Sequence, residues 1–133
     1  MKISNDTRNI LKNFSTINSG IRVKTGNKVE TISNMKNILA VATVDESFPQ
    51  DFSIYNLPEF LGATSLMTDP DFQFGDASLT VADENSSLAY FYASEGMVVA
   101  PDKMITMPEA EINIEISSTL LSELQKAASV LGV

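Results

Sequence analysis

The chain has 133 residues, with 9 Lys+Arg against 17 Asp+Glu, a net charge of -8, and no histidine, cysteine or tryptophan. Without histidine or cysteine, Ser–His, Cys–His and zinc-hydrolase chemistry, disulfide frameworks and thiolate metal sites are excluded within this sequence. The length suits about one domain with a real core, and no apolar run approaches the roughly 20 residues of a membrane span.

The opening residues, Met1 to Phe14, lack the apolar segment of a secretion signal, so export is not expected. Ser4 is placed to cap a helix with Asp6 in its first turn, and Ile10, Leu11, Phe14 and Ile17 recur at helical spacing before Asn18-Ser19-Gly20 stops it. An amphipathic helix is expected over residues 4–17. Its polar side carries Arg8 and Lys12, four apart and one turn from each other.

Ile21 and Val23, the Thr25-Gly26-Asn27 turn, then Val29 and Ile32 read as a hairpin. Ile38 to Val44 and Phe52 to Tyr55 read as two more strands. Asn56 and Pro58 then open a second helix that buries Phe60, Leu61 and Leu66. Three further strands are expected at Asp71–Phe74, Ser78–Ala82 and Ser87–Ala93, giving the order one helix, four strands, one helix, three strands. Residues 94–108, with Gly96, Pro101, Pro108, Met97 and Met104, read as an extended apolar connector. Ala110 to Ile116 alternates like a strand. Ser117 or Ser118 caps a last helix through Leu120, Leu121, Leu124 and Leu131, closed by Gly132.

Charge is unevenly spread along these elements. Seven of the nine basic residues lie in residues 1–36 with only Asp6 and Glu30 among them, so that stretch carries +5 and the remainder -13. A protein that is acidic overall still attracts a polyanion locally where its basic residues converge on one face. The acidic groups Asp45-Glu46, Asp69/Asp71 and Asp83-Glu84 fall at expected turns or strand ends. No calcium-loop, Walker or GxGxxG spacing accompanies them, so they read as a solvated acidic surface. Phe72, Phe74, Tyr90, Phe91 and Tyr92 alternate along strands and are read as core rather than as base-stacking residues.

The run from Lys2 to Gly20, with Leu11-Lys12-Asn13-Phe14 and Thr16-Ile17-Asn18-Ser19-Gly20-Ile21, resembles the first helix and strand of the sliding clamps of T-even-type tailed bacteriophages. The resemblance continues at Ile54-Tyr55-Asn56-Leu57, Phe60-Leu61-Gly62, Val98-Val99-Ala100-Pro101 and Leu120-Leu121. It implies an α+β DNA-clamp fold: one complete domain of two helices on antiparallel sheets, plus the first strand and helix of a second. The matching boundaries are residues 1–93 for the first domain, 94–108 for the connector and 109–133 for the incomplete second domain.

For function, the resemblance implies a non-catalytic DNA polymerase processivity factor without cofactor. In full-length form such a protein encircles duplex DNA as a trimer, is loaded by a clamp loader, tethers the polymerase and serves late transcription in the cytoplasm of an infected bacterial host. Arg8, Lys12, Lys126 and Lys2 carry over as DNA-facing residues, and Met97, Val98 and Met104 as part of a partner-peptide groove. The alternative is a clamp-like interaction module that self-associates through its last helix without encircling DNA.

Overall fold

The computed structural model describes residues 1–103 and 106–133. The chain divides into two units, Met1–Lys103 and Met104–Val133. The first contains, in order, α1 (Asn5–Ile17), β1 (Ile21–Val23), β2 (Gly26–Ile32), β3 (Leu39–Phe48), β4 (Phe52–Ile54), α2 (Leu57–Ser65), β5 (Asp71–Phe74), β6 (Ser78–Ala82) and β7 (Ser87–Phe91). The second contains α3 (Ser118–Leu131). The strands pair antiparallel as β1–β4, β2–β3 and β5–β6–β7, so the architecture is α+β and the order of elements in the first unit is the expected one.

Local chemistry sets the helix ends. The Ser4 hydroxyl accepts a 3.2 Å hydrogen bond from the Thr7 N–H, satisfying one of the free amides at the start of α1. Leu11 and Phe14 then point inward, with Ile10 and Ile17 partly covered beside them. The Asn56 side chain caps α2 through the Glu59 N–H, and Pro58, in the first turn, has no amide to leave unpaired. In the second unit Ser117 caps α3 and Gly132, at φ 74°, ends it in the left-handed conformation.

Three expectations are corrected by the strand pairing. Ile21–Val23 and Val29–Ile32 do not form a hairpin: β1 pairs with β4, and Gly26 and Asn27 lie inside β2. The Thr25 N–H and hydroxyl both donate to Asp51, at 2.7 and 2.8 Å, which ties this corner to the β3–β4 connection instead of reversing the chain. The true reversal lies between β2 and β3, where the Ser33 hydroxyl accepts from the Asn37 and Ile38 amides. Second, β3 runs on through Asp45 and Glu46 to Phe48, so this acidic pair is within a strand and not at its end.

Third, no strand forms over residues 106–117. Ile112, Ile114 and Ile116 are exposed, and a strand exists only by pairing with a neighbour, which the described residues of the second unit do not contain. Among its described residues that unit carries one helix, in which no residue is buried.

The core of the first unit joins both helices to all three sheets: Leu11 and Phe14 of α1, Leu57 and Phe60 of α2, Val29, Phe48 and Phe52 from the small sheets, Phe72, Leu79 and Val81 from the larger one. Phe52 packs against Phe48, Phe74 and Tyr92 with ring centroids 5.2–5.8 Å apart, and Phe60 of α2 meets Phe72 and Tyr90 edge-on. Phe91 is the exception to the core reading of the aromatics, being 73% exposed on the outer face of β7.

Asn18 knits these layers together. It is buried, and its Nδ2 donates to the carbonyls of Ile32 (3.0 Å) and Val99 (2.8 Å) while its Oδ1 accepts from the Gly20 N–H (3.0 Å). Asn18→Ala strands three backbone groups at once. At about 1 kcal/mol for each broken bond, the expected destabilisation is about 3 kcal/mol, measurable by urea unfolding.

Candidate nucleic-acid interface

The helices α1 and α2 lie side by side. Their adjacent surfaces enclose a furrow of about 300 Å³ lined by Lys12 and Ser15 of α1 and by Pro58, Leu61, Gly62 and Ser65 of α2. Arg8, Lys12 and Ser15 follow one another at i, i+4 and i+7, a single stripe along α1. No carboxylate lines the furrow, and Gly62 and Ser65 add little bulk on the α2 side. The ion pairs among the described residues are Met1–Asp71, Lys2–Asp69 and Arg22–Asp102, so Arg8 and Lys12 belong to none of them.

Lys12 is exposed, whereas Arg8 is half-buried and its Nε is enclosed without a hydrogen-bond partner among the described residues. A guanidinium donor in that state is relieved by an anion or a water. The trough thus offers the Lys12 charge and the hydroxyls of Ser15 and Ser65, with Arg8 one turn before Lys12 on the same stripe. That is chemistry for a phosphate backbone and not for reading bases, which needs side chains reaching base edges.

The other two basic residues expected at the interface are placed differently. Lys2 Nζ donates to the Asp69 carbonyl and lies 3.3 Å from its carboxylate, beside a cavity that Asp83 and Glu84 also line. Its charge is therefore matched locally, away from the furrow lining. Lys126 is exposed on α3 of the second unit. Of the strand residues, Arg22 is half-buried and donates to the Pro101 carbonyl at 2.7 Å, while Lys24 and Lys28 are exposed.

Of the groove residues, Met97 and Val98 line a cavity of about 250 Å³ together with Asn18, Gly20 and Tyr55. Met97 is more than half exposed, and Val98 sits so close to Gly20 that a Cβ there would lie 3.1 Å from both its methyl groups. Met104 lies outside the described residues. Two of the three residues expected at a groove therefore line one cavity. Tyr55, 60% exposed, lines the same cavity, and a lone tyrosine after a strand carries no local signal of that placement.

Of the acidic groups, Glu46, Asp69, Asp71 and Asp83 make contacts within the fold. Among the described residues, no group of three or more His, Cys, Asp or Glu is arranged to hold a metal ion. Asp83 accepts from the amides of Thr68, Asn85 and Ser86 at 2.7–2.9 Å, joining the α2–β5 link to the β6–β7 turn. Those three amides hold its carboxyl down at about 2 from the usual 3.8. Because the folded value is the lower one, this contribution to stability is complete above the unfolded value and is lost as pH falls through the folded one. The melting temperature should therefore drop between pH 3.8 and about 2. Asp83→Asn should start lower at neutral pH and show a shallower acid slope in a thermal-melt series.

With the geometry in hand, comparison with known sequences assigns the class. The family of the DNA polymerase processivity factor matches residues 4–100, and the chain belongs to that family. Among individual relatives, it is 36% identical over 135 residues to the sliding clamp of Enterobacteria phage T4, 32% over 136 to that of Escherichia phage RB69, and 28% over 137 to that of Vibrio phage KVP40. Each alignment takes in the whole of this chain but only 59–62% of the relative, so the chain spans about three-fifths of the length of these sliding clamps. No described helix is long and apolar enough to cross a membrane.

Proposed function

We propose that this chain is a sliding-clamp polypeptide: a non-catalytic processivity factor whose full ring surrounds duplex DNA and tethers the replicative polymerase. The observation that carries the reading is the α1 stripe. In an acidic protein, Arg8 and Lys12 stand outside the ion pairs of the described residues, on a helix whose neighbour presents uncharged residues along a shared furrow. Contacts of that kind go to phosphates, are blind to sequence and are weak enough one by one to permit sliding. Lys126 is a third candidate contact. Lys2, already paired with Asp69, ranks below it.

On the same reading, residues 1–93 form the first clamp domain, 94–108 the connector and 109–133 the start of a second domain. Met97 and Val98 contribute to a groove for partner peptides, those of a polymerase, a clamp loader and late-transcription factors. The complete assembly is a homotrimer acting in the cytoplasm of an infected bacterium, without cofactor. The exposed Leu120, Leu121, Leu124 and Leu131 of α3 favour one second reading, a module that self-associates without encircling DNA.

Salt separates the two. For a duplex oligonucleotide, log affinity should fall linearly with log salt, and Arg8→Gln/Lys12→Gln should reduce the slope by up to about 1.8, at about 0.9 per phosphate contact. A salt-insensitive affinity would reject the DNA reading. The self-association reading instead expects a mass that rises with concentration, persists at high salt and collapses in Leu124→Glu, all measurable by light scattering.

A further inference from the structure

Glu46 is an acidic residue on the inward face of a strand. In β3 the alternation that buries Val44 and Phe48 turns the side chain between them to the same side. There its two carboxylate oxygens accept two different donors from the start of α1. Oε1 takes the Ser4 N–H and Oε2 the Thr7 hydroxyl, each at 2.5 Å. Thr7 is 1% exposed and Glu46 half-buried, so the second contact reaches the edge of the packed interface. Burial pushes the Glu46 carboxyl up, but the bonds from Ser4 and Thr7 outweigh it and hold it below its ordinary value.

We propose that Glu46 is a positioning residue: it fixes the rotation and axial seat of α1 and thereby aims Arg8 and Lys12 at the DNA backbone, an inference that rests on the DNA reading above. A one-point cap would satisfy a free amide yet leave the helix free to turn. Two points of attachment a turn apart, on the cap residue and the third helical residue, do not. A slip of one residue rotates a helix by about 100° and moves it about 1.5 Å, enough to carry Lys12 off the furrow and to turn Arg8 with it. Arg8 directly follows Thr7, so the clamped turn leads straight into the first of the two charges.

The electrostatic sign makes the idea testable. Glu46→Gln removes a negative charge from a protein that binds a polyanion, so a pure charge effect tightens DNA binding. A helix that is no longer aimed weakens it. Binding of a duplex oligonucleotide by Glu46→Gln is expected to become less dependent on salt. Between 50 and 200 mM salt, the fall in affinity should shrink by about threefold for each phosphate that the variant no longer engages. Adding Glu46→Gln to Arg8→Gln/Lys12→Gln should change little, because its effect passes through those two residues.

A second readout does not involve DNA. The native chain has no cysteine, so spin labels on Ser15→Cys and Ser65→Cys report the α1–α2 spacing without background. The distance should be narrow with Glu46 present and broadened or shifted in Glu46→Gln. Thr7→Val, which keeps the shape and the Ser4 N–H contact to Glu46 but removes the hydroxyl that donates to Glu46 and accepts from the Ser4 hydroxyl, should give a smaller change in the same direction and serves if the first variant fails to fold. An unchanged label distance, or a tightened DNA affinity, overturns the proposal. If Arg8→Gln/Lys12→Gln leaves the salt slope untouched, the DNA reading fails and the aiming claim falls with it, while the label distances still decide whether Glu46 seats the helix.

Discussion

The side-chain amide of Asn18 is the contact on which the rest of the first unit hangs. It stands where α1 ends, and in one buried position it closes the turn to Gly20, holds the last residue of β2 and fastens Val99 of the segment after β7. Three parts of the chain separated by as many as 81 residues therefore share one polar centre. Apolar packing around Phe48, Phe52 and Phe60 supplies most of the driving force for collapse. It is non-directional, however, and the amide is what specifies which carbonyls meet. The first helix, the sheet and the segment after β7 are thus set against each other by geometry as well as by burial.

The two helices divide the work of the candidate interface. α1 carries the charge, with Asp6 and Glu46 both kept to its N-terminal end, where the helix dipole favours them and where they stand clear of Lys12. α2 carries none of the basic residues, yet it is firmly docked, with Phe60 between Phe72 and Tyr90 and Thr64 buried. A surface built in this way presents a concentrated positive line beside a smooth neutral wall.

What is legible in the sequence is what is encoded locally. Ser4, Asn56, Ser117 and Gly132 mark helix ends through their own side chains or backbone freedom, and all four act where the sequence places them. That Arg8 and Lys12 share a stripe follows from helical spacing alone. Partners distant in sequence are not legible. β1 pairs with a strand far along the chain, and Thr25 is bonded to Asp51 beside that strand; nothing near Thr25 announces either. Lys2 reads as a free charge because Asp69 meets it only after the chain has returned across 67 residues. Glu46 reads as a turn acid as long as the apolar alternation of β3 is ended at Val44. Followed to Phe48, the same alternation places a carboxylate on the inward side, the one signal available for its role.

The docking of α2 also gives the molecule a built-in optical reporter. With no tryptophan in the chain, its three tyrosines dominate the near-ultraviolet emission, and they sit in unlike surroundings. Tyr55 is largely solvated, while Tyr90 rests on Phe60 and its hydroxyl donates to the Asn56 carbonyl at the start of α2. Loosening of that helix would free the Tyr90 phenol and change its emission. The α2 wall of the furrow can therefore be watched by light without attaching anything to it.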